Sequence, residues 1–232
     1  MALPEPQEWF LEELMRAGEA WQLSGTAYAV FYEDVLVEFH TEDSSNTATH
    51  LSELKRNRPF QKAFCKSYDQ PLLDAAHTLG GTATKFAHLF RKRIPINRAL
   101  PHGFHLTKAE PSELDIACQL GRGFFDSREE AQDLLQTGGL WIARSGAEPV
   151  GCGVTNPLVG PYNAVDIGMV VTEPWRKQGF GTAIVRALAD AAEKQGQRPI
   201  CGCAGTNIAS KSALERAGFV SEHSLMRLDF PA

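Results

Sequence analysis

Arg176, Lys177, Gln178, Gly179, Phe180, Gly181 and Thr182 follow one another between an apolar run and an amphipathic one, an order suited to binding a diphosphate. Glycines at 179 and 181 carry no Cβ, so the backbone can approach a ligand and adopt conformations that other residues resist. The first N–H groups of a helix have no internal acceptor, and with the positive end of the helix dipole they favour an anion by roughly 0.3–1 kcal/mol, or about 2 where partly buried. Two other nucleotide-binding patterns fail on spacing. A dinucleotide fingerprint needs a glycine at 184, which is Ile, and the Gly-x4-Gly-Lys-Ser/Thr phosphate loop is absent. A second group lies downstream: Asn207 opens a predicted helix over 208–217, Ser210 sits in its first turn, and Gly218 closes it before Phe219.

These blocks sit among elements able to position them. Residues 165–171 read as a buried strand of β-branched residues, 180–195 as an amphipathic helix and 199–204 as a second strand. Arg-x-x-Gly-x-Gly after a strand ending Met169-Val170-Val171, with Pro174 and Trp175 in the turn, resembles the acyl-CoA-binding motif of the GNAT superfamily, the Gcn5-related N-acetyltransferases. Asn207, a small residue three on, a helix and Gly-Phe match that family's block after its fifth strand. The resemblance covers about residues 103–231. It implies an α/β fold with a mixed, splayed central sheet flanked by helices, and acetyl-CoA as cosubstrate without a metal.

The resemblance also assigns roles. The pantetheine arm falls to the backbone of Met169, Val170 and Val171, and the N–H of Val171 becomes the group that polarises the thioester carbonyl. The diphosphate falls to Lys177, Gln178, Gly179, Phe180, Gly181 and Thr182, with Arg176 either binding it or bracing the loop. Asn207 bonds the CoA arm or the fifth-strand backbone, or serves as a helix cap alone. Many relatives place Tyr seven residues after the Asn, but position 214 is Leu. The branch resembling ribosomal-protein N-terminal acetyltransferases has Asn-x-x-Ser, so Ser210 is either the acid for the departing thiolate or an ordinary first-turn residue. A thiolate of pKa about 8.5 needs modest help, which water also supplies.

The base is less defined. Asp166 is the carboxylate of strand 165–171, five residues before Val171 and on the opposite face in strict alternation. Only a bulge brings it round. Position 202, where other relatives carry Glu, is Gly. Glu33, Asp34, Glu38 and His40 reach the site only if the first part of the chain packs over the acceptor groove.

The chain of 232 residues has a net charge of −5 and a pI near 5.8, which argues against a nucleic-acid partner. No apolar run reaches the ~18 residues that span a membrane, and the N-terminus from Met1 lacks the charged and apolar parts of a signal peptide, so a cytoplasmic protein is expected. Five cysteines in apolar surroundings suit reduced core thiols, and Cys201-x-Cys203 has no histidine at metal-ligand spacing.

Residues 91–103 combine basic residues with two prolines and read as a solvated linker. It divides a first part, 1–98, of α+β character from a GNAT domain, 99–232. In the first part a hairpin of strands 26–32 and 35–40 turns at Glu33-Asp34, and helices are predicted over 9–20, 57–66, 70–79 and 83–92. In the second, strand 104–109, helices 112–125 and 127–137, a hairpin of 140–144 and 149–156, and a last strand over 222–229 complete the sandwich. No repeat is visible. The expected activity is transfer of an acetyl group to a primary amine, on a small molecule or on a protein N-terminus or lysine, by direct attack in a ternary complex. An acyl-CoA sensor without turnover is the alternative, and the first part is a lid, a metabolite-binding gate or a homodimer contact.

Overall fold

The computed structural model describes residues 5–23, 25 and 27–231. Its helices are α1 (Trp9–Ala17), α2 (Thr47–Asn57), α3 (Gln70–Thr78), α4 (Leu114–Leu120), α5 (Arg128–Gln136), α6 (Phe180–Lys194) and α7 (Ile208–Arg216). Its strands are β1 (Glu19–Gln22), β2 (Tyr28–Tyr32), β3 (Val35–His40), β4 (Lys62–Lys66), β5 (Thr82–Phe90), β6 (Lys92–Arg93), β7 (Phe104–Lys108), β8 (Leu140–Ser145), β9 (Glu148–Pro157), β10 (Ala164–Val171), β11 (Arg198–Ala204), β12 (Phe219–Val220) and β13 (His223–Asp229). Thr26, the predicted start of a strand, and the N-terminal stretch from Met1 to Pro4 lie outside the described residues. Two compact units result. Unit 1 holds the described residues through Leu89, Cys203–Thr206 and those from Glu222 on; unit 2 holds Phe90–Gly202 and Asn207–Ser221.

Unit 2 is built on a sheet of order β7-β8-β9-β10-β11. Neighbours are antiparallel except β10 and β11, which run parallel because α6 carries the chain back across one face. Ile184 and Leu188 of α6 are fully buried. They meet β9 at Gly153, where a Cβ would stand 3.0 Å from Ile184 Cγ2 and 2.9 Å from Leu188 Cδ1, so the glycine sets how near α6 lies. On the other face Ala117 of α4 and Leu134 of α5 pack against Ile142, Cys152 and Val154. α5 starts where the Ser127 hydroxyl accepts the Glu130 N–H at 3.1 Å.

The basic run read as a solvated linker is in part structural. Arg91 is 5 % exposed and donates to the carbonyl of Cys201 at 3.1 Å. Arg93, at the β6–β12 ribbon, donates to Asp190 at 2.6 Å and Glu193 at 2.8 Å on α6. A buried cation survives only when paired in this way.

Unit 1 has the sheet order β1-β2-β3-β4-β13-β5. Phe31, Leu51, Leu54, Phe60, Leu72 and Phe230 make its main core, while Leu11 of α1 meets Leu89 and Leu225. The predicted hairpin is present, with Glu33 at φ +51° in its turn. Two predicted helices are not. Segment 57–66 holds the last residue of α2 and then β4, and 83–92 is mostly β5. Neither has a strong local preference, and pairing with β13 on both sides makes them strands, with Arg227 opposite both Phe64 and Thr84. The last strand, which the sequence grouped with the second half, is thus an interior strand of unit 1.

Although no repeat is visible in the sequence, the two units share a plan. In each, an antiparallel hairpin (β2–β3, β9–β10) leads through a helix (α2, α6) to a strand parallel to its second arm (β4, β11). In each, the parallel pairing among the described residues is short: Val35↔Lys62 and Leu36↔Ala63 in unit 1, and Ala164↔Arg198, Val165↔Pro199 and Asp166↔Ile200 in unit 2. Beyond those positions the strands part.

Candidate active site

In unit 2 the parting of β10 from β11 frees backbone groups whose direction is set by the parity of pairing with β9. Thr172 N donates to Val150 O and Leu158 N to Ala164 O, so the even-numbered residues of β10 turn their N–H and C=O toward β9. Arg198 N donates to Asn163 O, so the odd-numbered ones turn toward β11. Past Asp166 no β11 residue is in register, and the N–H groups of Met169 and Val171 therefore aim into the gap. Val170 is a correction: its amide faces β9, opposite Cys152, and its side chain packs with the α4–α5 core. It offers the gap no free backbone group.

The loop after β10 carries two left-handed residues, Lys177 at φ +61° and Gly179 at φ +88°, with Gln178 between them. Such alternation turns successive N–H groups to one side and makes a concavity for an anion. A lysine in this region costs about 1–2 kcal/mol, strain that other contacts must offset. The offsets are visible. Arg176 Nε donates to Val171 O at 3.1 Å, Gln178 Nε2 donates to Pro174 O at 2.9 Å, and Phe180, 3 % exposed, meets Trp175 edge-on at 5.3 Å. Helix α6 begins at Gly179 with no side-chain cap, leaving its first-turn amides without an intrahelical acceptor. Arg176, Gln178 and Phe180 thus spend their side chains on the loop itself.

Three elements converge beside it. A Cβ on Gly181 would stand 3.2 Å from Met169 Cε and 3.7 Å from Ala213 Cβ, and Thr182 Oγ1 donates to Ala213 O at 3.3 Å. Ser210 lies one helical turn before Ala213 on the same face of α7. Asn207 caps α7, its Oδ1 accepting the Ser210 N–H at 3.0 Å. Strand end, helix start and α7 are therefore one cluster.

A family model described as Acetyltransferase (GNAT) family matches residues 107–219. That segment is a GNAT acetyltransferase domain. Solved structures with the same fold include an acetyltransferase from the GNAT family of Colwellia psychrerythraea, 14 % identical, with a TM-score of 0.86 over 98 % of this chain and 91 % of that one. A GCN5-related N-acetyltransferase from Kribbella flavida, also 14 % identical, gives a TM-score of 0.69 over 96 % of this chain and 93 % of that one. One from Sphaerobacter thermophilus, 13 % identical, gives 0.66 over 89 % and 78 %. At such identities the likeness is one of fold, and it includes unit 1. No curated protein sequence matches the chain.

Of the residues read as candidates for proton transfer to or from the amine, Asp166 belongs to the GNAT domain. The β9–β10 register runs without a shift from Val165 to Val171, so β10 has no bulge and Asp166 stays on the face opposite Met169 and Val171. That face carries Gly168, where a Cβ would lie 3.3 Å from Phe124 Cζ. Of the four carboxylate and imidazole groups offered by the first part, Glu33 and Asp34 sit in the exposed hairpin turn, His40 pairs with Tyr28, and Glu38 lines a cavity within unit 1. The sequence missed Phe124 as a neighbour of the strand, although an interior strand glycine at 168 is the usual mark of a close approach.

The GNAT loop allows a direct test. Gly179→Glu puts a side chain and a like charge beside the amide concavity, in a conformation only glycine holds without strain, and is expected to weaken acetyl-CoA binding at least about tenfold by calorimetry. Gly179→Ala, with the strain but not the charge, should lose less. Equal affinities for both folded variants and the parent would remove the loop from the site.

Proposed function

We propose that the protein transfers an acetyl group from acetyl-CoA to a primary amine by direct attack in a ternary complex. The observation that carries this reading is the pair of gap-facing amides, Met169 and Val171, next to an uncapped helix start and a left-handed glycine turn. These residues fit acetyl-CoA: the gap offers β-type donors for an extended amide-bearing arm and the α6 turn offers N–H groups for its diphosphate. Acetyl-CoA supplies an activated thioester carbonyl. The chain does the rest. Val171 N–H donates to the carbonyl oxygen as negative charge gathers there, and Met169 fixes the arm in register. Asn207 and Ser210 stand at the start of α7, and the Ser210 hydroxyl is the group we assign to give a proton to the departing thiolate.

An amine such as lysine must first lose a proton at a cost of roughly 4.6 kcal/mol at pH 7, from 3.4 units at 1.36 each. With Asp166 turned away, water relays that proton. Incubation with acetyl-CoA and a panel of small amines, N-terminal peptides and lysine peptides should release free thiol with at least one class. Tight acetyl-CoA binding with no thiol released by any amine favours the sensor reading.

Ser210→Ala is expected to lower turnover about 10- to 100-fold with acetyl-CoA affinity little changed, the pattern of a group acting only in the transition state. Steady-state kinetics with calorimetry decide it. Unaltered turnover returns the serine to its place in the helix.

A further inference from the structure

The parting of β3 from β4 in unit 1 opens a second gap on the same plan, and it is built for a different ligand. A cavity of about 50 Å³ lies there, lined by residues of β3 and β4 past the point where their pairing ends, among them Glu38, Phe39, Phe64 and Lys66. A single water needs about 10–15 Å³. The connection from β3 to α2 has no glycine, and the Asp43 carboxylate fills it, accepting from Ser45 N at 2.9 Å and Asn46 Nδ2 at 2.7 Å. A diphosphate therefore has no cradle at this connection.

The polar groups around the cavity define what it accepts. Two carboxylates, Glu38 and Asp69, and one ammonium, Lys66, line it, and both oxygens of Glu8 hold that ammonium at 2.6 and 2.7 Å. Glu8 takes up the Lys66 charge, so above about pH 7, where Glu38 has ionised, carboxylate charge is left over. Gln7 lines the same space and is 7 % exposed; its amide donates to Met15 Sδ at 2.7 Å and to Glu38, while its carbonyl Oε1 is buried with no hydrogen bond among the described residues. An unused carbonyl acceptor beside surplus carboxylates calls for a cationic donor. No group of three His, Cys, Asp or Glu among the described residues is placed to hold a metal ion. The walls at Leu11, Phe39 and Phe64 are apolar.

We propose that the β3–β4 gap of unit 1 binds a small primary ammonium ion with a short apolar tail. Its N–H groups donate to Gln7 Oε1 and the Glu38 carboxylate, and the tail lies against Phe39 and Phe64. The site is lined by residues of unit 1 and does not depend on the activity proposed for unit 2. Its contents report on amines, the chemical class that unit 2 is proposed to acetylate.

The full chain at pH 8, without acetyl-CoA, is titrated calorimetrically with ethylammonium and propylammonium, whose few heavy atoms match the volume, and with the neutral isosteres ethanol and propan-1-ol. At least one ammonium is expected to bind, with the alcohols about tenfold weaker or more. Glu38→Gln removes the surplus charge, and Gln7→Leu removes the unused carbonyl together with the amide that donates to Glu38; each should keep the fold and lower the ammonium affinity about tenfold or more while acetyl-CoA binding is unchanged. Absence of ammonium binding overturns the proposal, as does equal binding of the alcohols. Ammonium binding that survives both variants belongs to the acceptor groove of unit 2 and overturns it too.

Discussion

Val171→Pro is expected to lower turnover on acetyl-CoA about 100- to 1,000-fold, the loss typical of removing one oxyanion donor. Proline is a sharp tool here because it deletes a single N–H. In β10 that N–H points away from β9, so no ladder hydrogen bond is lost, and the preceding Val170 already has the extended conformation that proline demands. Acetyl-CoA affinity should stay within a few-fold, since Met169 and the α6 turn remain. Rates and calorimetry on the same preparation check both parts. Turnover within about threefold of the parent would show that Val171 N–H has no part in the chemistry.

Glu38→Gln should stabilise unit 1, with a gain that grows with pH. Burial pushes the Glu38 carboxyl up to about 7, with Asp69 and Glu8 adding to the rise and Lys66 and the Gln7 amide opposing it. A raised acid binds more protons folded than unfolded between about pH 4.5 and 7, so folding stability falls as pH rises through that window and levels off above it. A shift of this size corresponds to about 3 kcal/mol by 1.36 per unit. The variant should therefore match the parent near pH 4.5 and exceed it by about 2–3 kcal/mol at pH 8 in urea denaturation. An equal difference at both pH values would mean that Glu38 ionises in the fold as it does in water.

What the sequence made legible was local. Gly179 and Gly181 at their spacing from Arg176, and Asn207 ahead of a Gly-Phe stop, depend on backbone needs that only a few residue types meet, so they announce the loop and the cap directly. The run at 165–171 is rich enough in β-branched residues to read as a strand from its own composition. The failures were nonlocal. Lys62-Ala63-Phe64-Cys65-Lys66 and Thr82-Ala83-Thr84-Lys85-Phe86 have no decisive period, and their strand state comes from β13, a partner more than a hundred residues later. Arg91 and Arg93 looked solvated because nothing in their neighbourhood names Cys201, Asp190 or Glu193 as partners. Val170 shows the limit at the site: its residue type is right for the strand, but which side its amide faces is set by pairing parity. The shared plan of the two units leaves no mark in residue identities because it resides in strand order.

The position of β13 has a consequence for how the protein is made. Residues through Phe90 leave the ribosome with the places for β4 and β5 on either side of an absent strand, and the missing piece is separated from them by the 132 residues between Phe90 and His223. At about 5–20 residues per second the wait is roughly 7–26 s. During it, two backbone edges and the apolar faces destined for Leu225, Leu228 and Phe230 have no intramolecular cover. Unit 2, whose residues 90–221 contain no such late strand, can close first. The nascent chain therefore matures in reverse order, second half before first, and a message that ends between Phe219 and His223 yields a product that retains the GNAT segment but exposes adhesive edges to its neighbours.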